Sequence, residues 1–282
     1  MTGSRGTADG ASAPRRAAVL GSPIAHSLSP VLHNAGYSAA GLAGWRYTAI
    51  ECGEAELAGL VAGLSDEWAG LSLTMPLKAA ALAVASAVGP VADAIGAANT
   101  LVRTAHGWRA ENTDAPGMVD ALREAGVVRA ESVAILGAGG TARAAVAAAH
   151  DLGADDIHVY ARRVAAFDEL SGAADRLGTS ITYGAWADAA GCADADLVIS
   201  TVPKGVADAL RPPWRPNSTL FDAIYDPWPT PLAAGAASAG GTIVSGLHLL
   251  LHQAVRQFEM FTGVPAPVEA MRDALGAAAA RR

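Results

Sequence analysis

Apolar, strand-like runs alternate with alanine-rich stretches along the whole chain, a pattern that predicts strands and helices in turn and therefore an α/β fold with parallel sheets. In the first part, strands are predicted at Ala17–Leu20, Trp45–Ile50 and Gly70–Thr74, separated by helices around Pro30–Ala40 and Glu54–Leu64. Asn99–Arg103 and Gly107–Ala110 read as two strands about an Ala-His-Gly turn. Thr113 and Asp114 then open a helix that ends near Gly126, and either is a suitable cap. The middle section begins with Ser132–Leu136, an apolar run that feeds directly into Gly137-Ala138-Gly139-Gly140-Thr141-Ala142 and an alanine-rich helix to about Leu152. Further strands are predicted at Ile157–Tyr160, Leu197–Thr201, Thr219–Ala223 and Thr242–Val244. Past Gly246, Leu247–Phe261 has the spacing of a helix with one apolar face, and a last alanine-rich helix follows Pro265 and Pro267.

Composition narrows the class. With 282 residues, 51% hydrophobic and 17% charged, the chain is the reverse of a disordered sequence and long enough for two medium domains. A net charge of −7 leaves no broad cationic field for nucleic acid or anionic lipid, so any anion must be held by a local site. The positive mean hydropathy, +0.27, comes largely from alanine. No membrane partner is expected, because the nearest spanning candidate, Ala79–Ala98, is interrupted by Gly89, Pro90 and Asp93. Residues 1–16, rich in Gly, Ser, Ala and Thr and lacking an apolar core segment, read as a loose tail of a cytoplasmic protein rather than a secretory signal. Cys52 and Cys192 lack the spacing of a zinc site or a disulfide framework and read as small core residues.

The hexad Gly137 to Ala142 fits G-x-G-x-x-G/A between a strand and a helix. In that motif the first glycine permits the tight turn, the second admits a pyrophosphate close to the backbone, and a small sixth residue allows close helix packing. Amides at the helix start then face the anion. NAD enzymes place an acidic residue at the end of the second strand for the ribose 2′-hydroxyl; this chain instead has Tyr160-Ala161-Arg162-Arg163. Two guanidinium groups suit a 2′-phosphate through forked, charge-assisted hydrogen bonds, so the expected cofactor is NADP(H). Arg143, on the helix after the glycines, is a weaker phosphate neighbour.

Other polar residues cluster where apolar strands run into loops, the place where α/β sheets hold ligands. Ser27 and Ser29 are two apart, so an extended segment points both hydroxyls the same way, toward one carboxylate; Ser29 before Pro30 equally suits a helix cap. Lys78 follows a buried strand and is either a solvated helix residue or a cation aimed into the cleft. His26 sits beside the serines, as a ligand contact or a surface residue. His248 and His252 share a helix face at i, i+4, but no following Glu supports a zinc motif, and no metal is expected.

These residues together resemble the shikimate dehydrogenase family, from about Ala17 to the C-terminal helices. The family's Ser-x-Ser segment is matched by Ser27 and Ser29, and its Asn-Val-Thr-x-Pro-x-Lys segment by Ser72-Leu-Thr74-Met-Pro76-Leu-Lys78. Its Gly-x-x-Asn-Thr segment is matched by Gly96 to Thr100, its Asn-Thr-Asp-x-x-Gly segment by Asn112 to Gly117, and its late glutamine by Gln253. Tyr225 resembles the family's loop tyrosine near the cleft. The resemblance implies reversible NADPH-dependent reduction of 3-dehydroshikimate to shikimate, a step of aromatic amino-acid (chorismate) biosynthesis. It implies Lys78 and Asp114 as the catalytic pair, Ser27 and Ser29 on the ring carboxylate, and Thr74, Asn99 and Gln253 on the hydroxyls. Which of Lys78 and Asp114 moves the proton stays open. Three departures stand out: Ser72 replaces the usual Asn and must reach the ligand with a shorter side chain; Ala161-Arg162-Arg163 replaces Asn-Arg-Thr; and Ala115 replaces a Gly after Asp114.

The expected organisation is a substrate-binding domain, residues 17–111 with 246–282 returning to it, and a Rossmann NADP-binding domain, residues 112–245, with the active site between them. The protein is expected to act as a monomer or homodimer. Rival readings are a dehydrogenase preferring quinate or another hydroxy acid, and a catalytically silent NADP-binding regulator; the Lys78 and Asp114 pair argues against the latter.

Overall fold

The computed structural model describes residues 14–282, and most of the tail expected at residues 1–16 lies outside the described residues. Arg15 and Arg16 do not belong to a tail. They begin β1 (Arg15–Gly21), whose first residues pair with β2 (Trp45–Glu51) on one side and β3 (Trp68–Leu73) on the other. The strand accepts two arginines because its start lies at the sheet's rim, where the Arg16 guanidinium meets Glu67 at 3.3 Å. Its remainder, Ala17 to Leu20, is covered on both faces and reads as one continuous apolar run. Between these strands lie α1 (Ser29–Ala39) and α2 (Glu54–Ala62).

The stretch from Ala79 to Ala98, without periodicity in the sequence, breaks into α3 (Ala81–Val84), β4 (Ala87–Val88) and α4 (Pro90–Ile95). The hairpin β5 (Thr100–Thr104) and β6 (Gly107–Glu111) completes a six-stranded mixed sheet of order β2-β1-β3-β5-β6-β4, in which β5 is antiparallel to both β3 and β6.

From α5 (Asp114–Glu124) the chain enters a second sheet, through β7 (Ser132–Leu136), α6 (Gly140–Asp151), β8 (Asp156–Ala161), α7 (Val164–Leu177) and β9 (Thr182–Ala185). A 3-10 turn at Trp186–Asp194 leads to β10 (Leu197–Ser200), β11 (Thr219–Asp222), α8 (Pro231–Ser238) and β12 (Thr242–Ser245). All six strands are parallel in the order β9-β8-β7-β10-β11-β12, the doubly wound arrangement whose ligand crevice opens at the carboxyl ends of the central strands.

The last helices, α9 (Gly246–Thr262) and α10 (Val268–Ala279), return to the first sheet. Leu251, Phe258 and Phe261 of α9 and Met271 and Leu275 of α10 share a core with Ala17, Val19, Tyr37 and Tyr47. Gly70 lets α9 approach β3 closely, since a Cβ there would lie 2.0 Å from the Phe261 ring. Cys52 and Cys192 are buried and unpaired, and burial pushes the Cys192 thiol up to about 12. Among the described residues, no helix is long and apolar enough to cross a membrane.

Candidate active site

The carboxyl ends of β1 and β3 and the start of β5 are tied together by backbone hydrogen bonds. Thr74 N–H donates to Leu20, Leu73 N–H to Asn99, and Ala98 N–H to the Lys78 carbonyl at 2.7 Å. This lashing gathers residues that are far apart in sequence. Ser27, Ser29, Ser72, Thr74, Lys78, Asn99, Asp114, Tyr225 and Gln253 all line one cavity of about 330 Å³, with His26 at its exposed edge.

Lys78 Nζ lies 2.6 Å from Asp114 Oδ2 in a largely buried pair, so it is a cation held in the cleft rather than a solvated helix residue. Asp114 Oδ1 accepts from Asn99 Nδ2 at 2.8 Å. Asp114 sits at the first turn of α5, where the helix dipole favours a carboxylate. The side-chain cap of this helix is neither Thr113 nor Asp114 but Asn112, whose Oδ1 accepts the Ala115 N–H at 3.1 Å. Thr113 does not cap because its hydroxyl faces Asn99, 2.9 Å from Nδ2. Ala115, where the motif has glycine, is buried against Ile95 and Ala144 without conflict.

Ser29 is the first residue of α1 rather than its cap, and its hydroxyl makes no capping bond, while Ser27 Oγ accepts the Ser29 N–H at 3.3 Å. Ser72 lines the cavity, but its hydroxyl is already engaged: it accepts from Tyr47 OH at 2.6 Å and donates to Gln257 Oε1 at 2.7 Å. Gln257 and Tyr47 were not singled out by sequence. Gln257 is 1% exposed, lines the cavity, and lies one turn after Gln253 on α9, a spacing that could have flagged it. Gln253 itself donates to Leu250 O, one turn back on its own helix. Its backbone is fixed by Gly117, where a Cβ would sit 2.8 Å from the Gln253 nitrogen; the glycine sets how closely α5 crosses α9.

Tyr225 is carried by a loop closed at its root by Asp222. Oδ2 accepts from Thr230 Oγ1 at 2.7 Å and Oδ1 from Ile224 N–H at 3.2 Å. Burial raises the Asp222 carboxyl above the ordinary aspartate range.

A second cavity of about 590 Å³ is lined by Gly137 to Thr141, Arg162 and Arg163, and it shares Thr74 and Lys78 with the first. Gly137 has φ +103, and a Cβ there would meet Thr201 Oγ1 at 2.9 Å. A Cβ on Gly139 would find open space, so a ligand can approach this backbone, and α6 starts there with no side-chain cap on its first N–H groups. Arg162 and Arg163 are exposed and have no ion-pair partner among the described residues. These features fit a dinucleotide bearing a 2′-phosphate. Ala142 does not line the cavity: it is fully buried in the core, where its small side chain serves packing. Arg143 lines the cavity but already bonds Ile95 O of α4 at 3.0 Å. His248 Nδ1 meets Ser245 at the start of α9 and His252 Nε2 meets Glu124 Oε2 of α5 at 2.8 Å, so the two rings serve the helix start and a hydrogen bond between helices.

Comparison with known proteins agrees with this geometry. The family model of the shikimate dehydrogenase substrate binding domain matches residues 19–101, and that of the shikimate 5′-dehydrogenase C-terminal domain matches residues 246–275. A shikimate dehydrogenase (NADP(+)) of Moorella thermoacetica is 37% identical over 276 residues, covering 92% of this chain and 93% of its own. The crystal structure of Mycobacterium tuberculosis shikimate dehydrogenase is 50% identical, with a TM-score of 0.85 over 94% of this chain and all of that one. A Thermus thermophilus shikimate 5-dehydrogenase solved with NADP(H) and shikimate is 28% identical, with a TM-score of 0.81 over 94% of this chain and 99% of that one. The fold and the paired cavities define an NADP-dependent α/β oxidoreductase. The chain belongs to the shikimate dehydrogenase family.

Proposed function

We propose that this protein catalyses the reversible NADPH-dependent reduction of 3-dehydroshikimate to shikimate, in the pathway to chorismate and the aromatic amino acids. The observation that carries this reading is the place of Lys78. It lies on both cavities, 2.6 Å from Asp114, where a group that handles the proton must stand when the cofactor and the ring meet. The bound cofactor supplies the hydride to the ring carbonyl carbon.

The remaining chemistry belongs to the chain. The Lys78 ammonium has three N–H bonds and gives one to Asp114, leaving donors for the carbonyl oxygen that gains a proton. Asp114 holds that ammonium in place and accepts a substrate hydroxyl hydrogen. Ser27 and Ser29 hold the ring carboxylate. Thr74, Asn99, Gln253 and Tyr225 orient the rest of the ring; Asn99, whose amide is engaged by Thr113, Thr100 and Asp114, exchanges one of these bonds when it meets a hydroxyl. Uncapped amides at the start of α6 and the guanidinium groups of Arg162 and Arg163 hold the cofactor phosphates.

The same reading divides the chain into a substrate domain, residues 17–111 and 246–282, and a cofactor domain, residues 112–245. It places the protein in the cytoplasm as a monomer or homodimer, which light scattering of the purified protein resolves. Steady-state absorbance of reduced nicotinamide with shikimate and NADP tests the activity: turnover that Lys78→Ala lowers by about 10²-fold or more supports it, and no turnover by folded wild type contradicts it.

A further inference from the structure

Around the substrate cavity, the protons of one group of side chains are already assigned. Two backbone groups fix the assignment. Thr113 N–H points at Asn99 Oδ1 at 2.8 Å, so the other atom of that amide is the nitrogen, which donates to Asp114 Oδ1. The Asn99 carbonyl accepts from Gln257 at 3.2 Å, so that atom is Nε2, which also donates to Thr100 Oγ1 at 2.9 Å. Gln257 therefore turns its oxygen toward Ser72. Ser72 has one proton and must give it to that oxygen at 2.7 Å, while Tyr47 OH donates to Ser72 from behind at 2.6 Å.

What remains for a ligand is one-sided. Ser72 Oγ keeps one lone pair, both oxygens of Asp114 accept, and Gln257 Oε1, with the buried His33 ring beside it, is committed to the Ser72 proton. Both N–H bonds of the Gln257 amide are engaged within the protein, and those of the Asn99 amide go to Thr113 and Asp114 until one is exchanged for a ring hydroxyl. Donors lie elsewhere in the cavity, at Lys78 and at the Ser27, Ser29 and Thr74 hydroxyls.

We propose that Ser72, its proton held by Gln257, forms an acceptor-only wall with Asp114 and selects a ring that presents hydroxyl donors to it. Gln257 is the specificity-determining residue, because it holds the Ser72 proton away from the ligand. The proposal rests on the shikimate reading of this site and assigns a job to the serine that stands where the family motif has asparagine. A keto or ether oxygen set against this wall meets lone pair with lone pair, which turns the substrate so that its carbonyl faces Lys78.

The test is equilibrium binding, by calorimetry, of shikimate and of two analogues in which one or the other non-reacting ring hydroxyl is replaced by fluorine. Fluorine cannot donate. The proteins are wild type, Gln257→Met, which frees the Ser72 proton, and Ser72→Ala, a smaller change that keeps the proposal falsifiable if the first variant does not fold. In wild type one fluorinated analogue binds about tenfold or more weaker than shikimate. In both variants that ratio falls to about threefold or less, even if all affinities drop. A wild-type ratio near one for both analogues, or a ratio unchanged in the variants, overturns the proposal; the latter marks Gln257 as merely structural. Failure of folded wild type to bind shikimate at all overturns the shikimate reading, and the wall with it.

Discussion

Lys78 and Asp114 are 36 residues apart in sequence and 2.6 Å apart in space, joined where the end of the first sheet meets the first helix of the second. Each is fixed separately. The Lys78 backbone carbonyl is held by Ala98 N–H, and the Asp114 carboxylate by the Asn99 amide, so the ion pair is positioned before any ligand arrives.

Removing the lysine head group therefore strikes the proton transfer more than binding. Lys78→Ala should lower kcat by roughly 10²- to 10⁴-fold, with the dissociation constant for shikimate changed by less than about tenfold. Turnover and titration on one preparation check this. An unchanged kcat removes Lys78 from the chemistry.

Arg162 and Arg163 are exposed on the cofactor cavity without ion-pair partners among the described residues, which leaves them for a phosphate. Replacing both with alanine should raise KM for NADP by about tenfold or more, on the scale of one or two hydrogen bonds to a charged group. KM for NAD should move much less. A parallel rise for both cofactors shows that the arginines do not read the 2′-phosphate.

Gly117 sets the crossing of α5 and α9, with the Gln253 nitrogen 2.8 Å from where a Cβ would stand. Gly117→Ala should destabilise the protein by about 1–3 kcal/mol. Because α5 carries Asp114 and α9 carries Gln253, the same change should raise KM for shikimate. Denaturant melts and steady-state kinetics measure the two effects.

His33 is 0% exposed, stacked face to face on Tyr47 with ring centroids 4.1 Å apart, and neither ring nitrogen has a partner among the described residues. Burial, offset only in part by the neighbouring Gln257 side chain, which is too poorly aligned for a regular hydrogen bond, pulls its pKa from 6.5 down to about 3. The unfolded chain then binds more protons than the native one between those values, so this residue's contribution to stability is full above pH 6.5 and is lost as pH falls toward 3. His33→Phe, which keeps an apolar ring on Tyr47, should flatten the acid limb of stability over that window. Melts across pH 3.5 to 7, on the scale of that shift, check it; parallel limbs in the two proteins contradict it.

Local pattern carried much of this. Ser132–Leu136 and the glycine hexad were legible because a buried parallel strand is a continuous apolar run and a tight turn needs glycine. The cavity residues were legible through short motifs at loop ends, since each motif keeps its own spacing. Gln257 and Tyr47 were hidden because their roles depend on α9 returning across β3 and β5: Ser72 and Gln257 are 185 residues apart. Ala79–Ala98 hid three short elements because alanine gives no periodic contrast between a buried face and an exposed one. Arg15 and Arg16 masked the start of β1 because their charged ends reach solvent from a strand rim, a geometry that composition does not reveal.

The most direct test of the proposed activity is absorbance of reduced nicotinamide with purified protein in four mixtures, shikimate or quinate with NADP or NAD. Turnover with shikimate and NADP is expected far above the other three. Preference for quinate or for NAD would contradict the assignments of the substrate wall or of Arg162 and Arg163. Folded protein that binds NADPH but turns over none of the four would contradict the catalytic role of Lys78 and Asp114 itself.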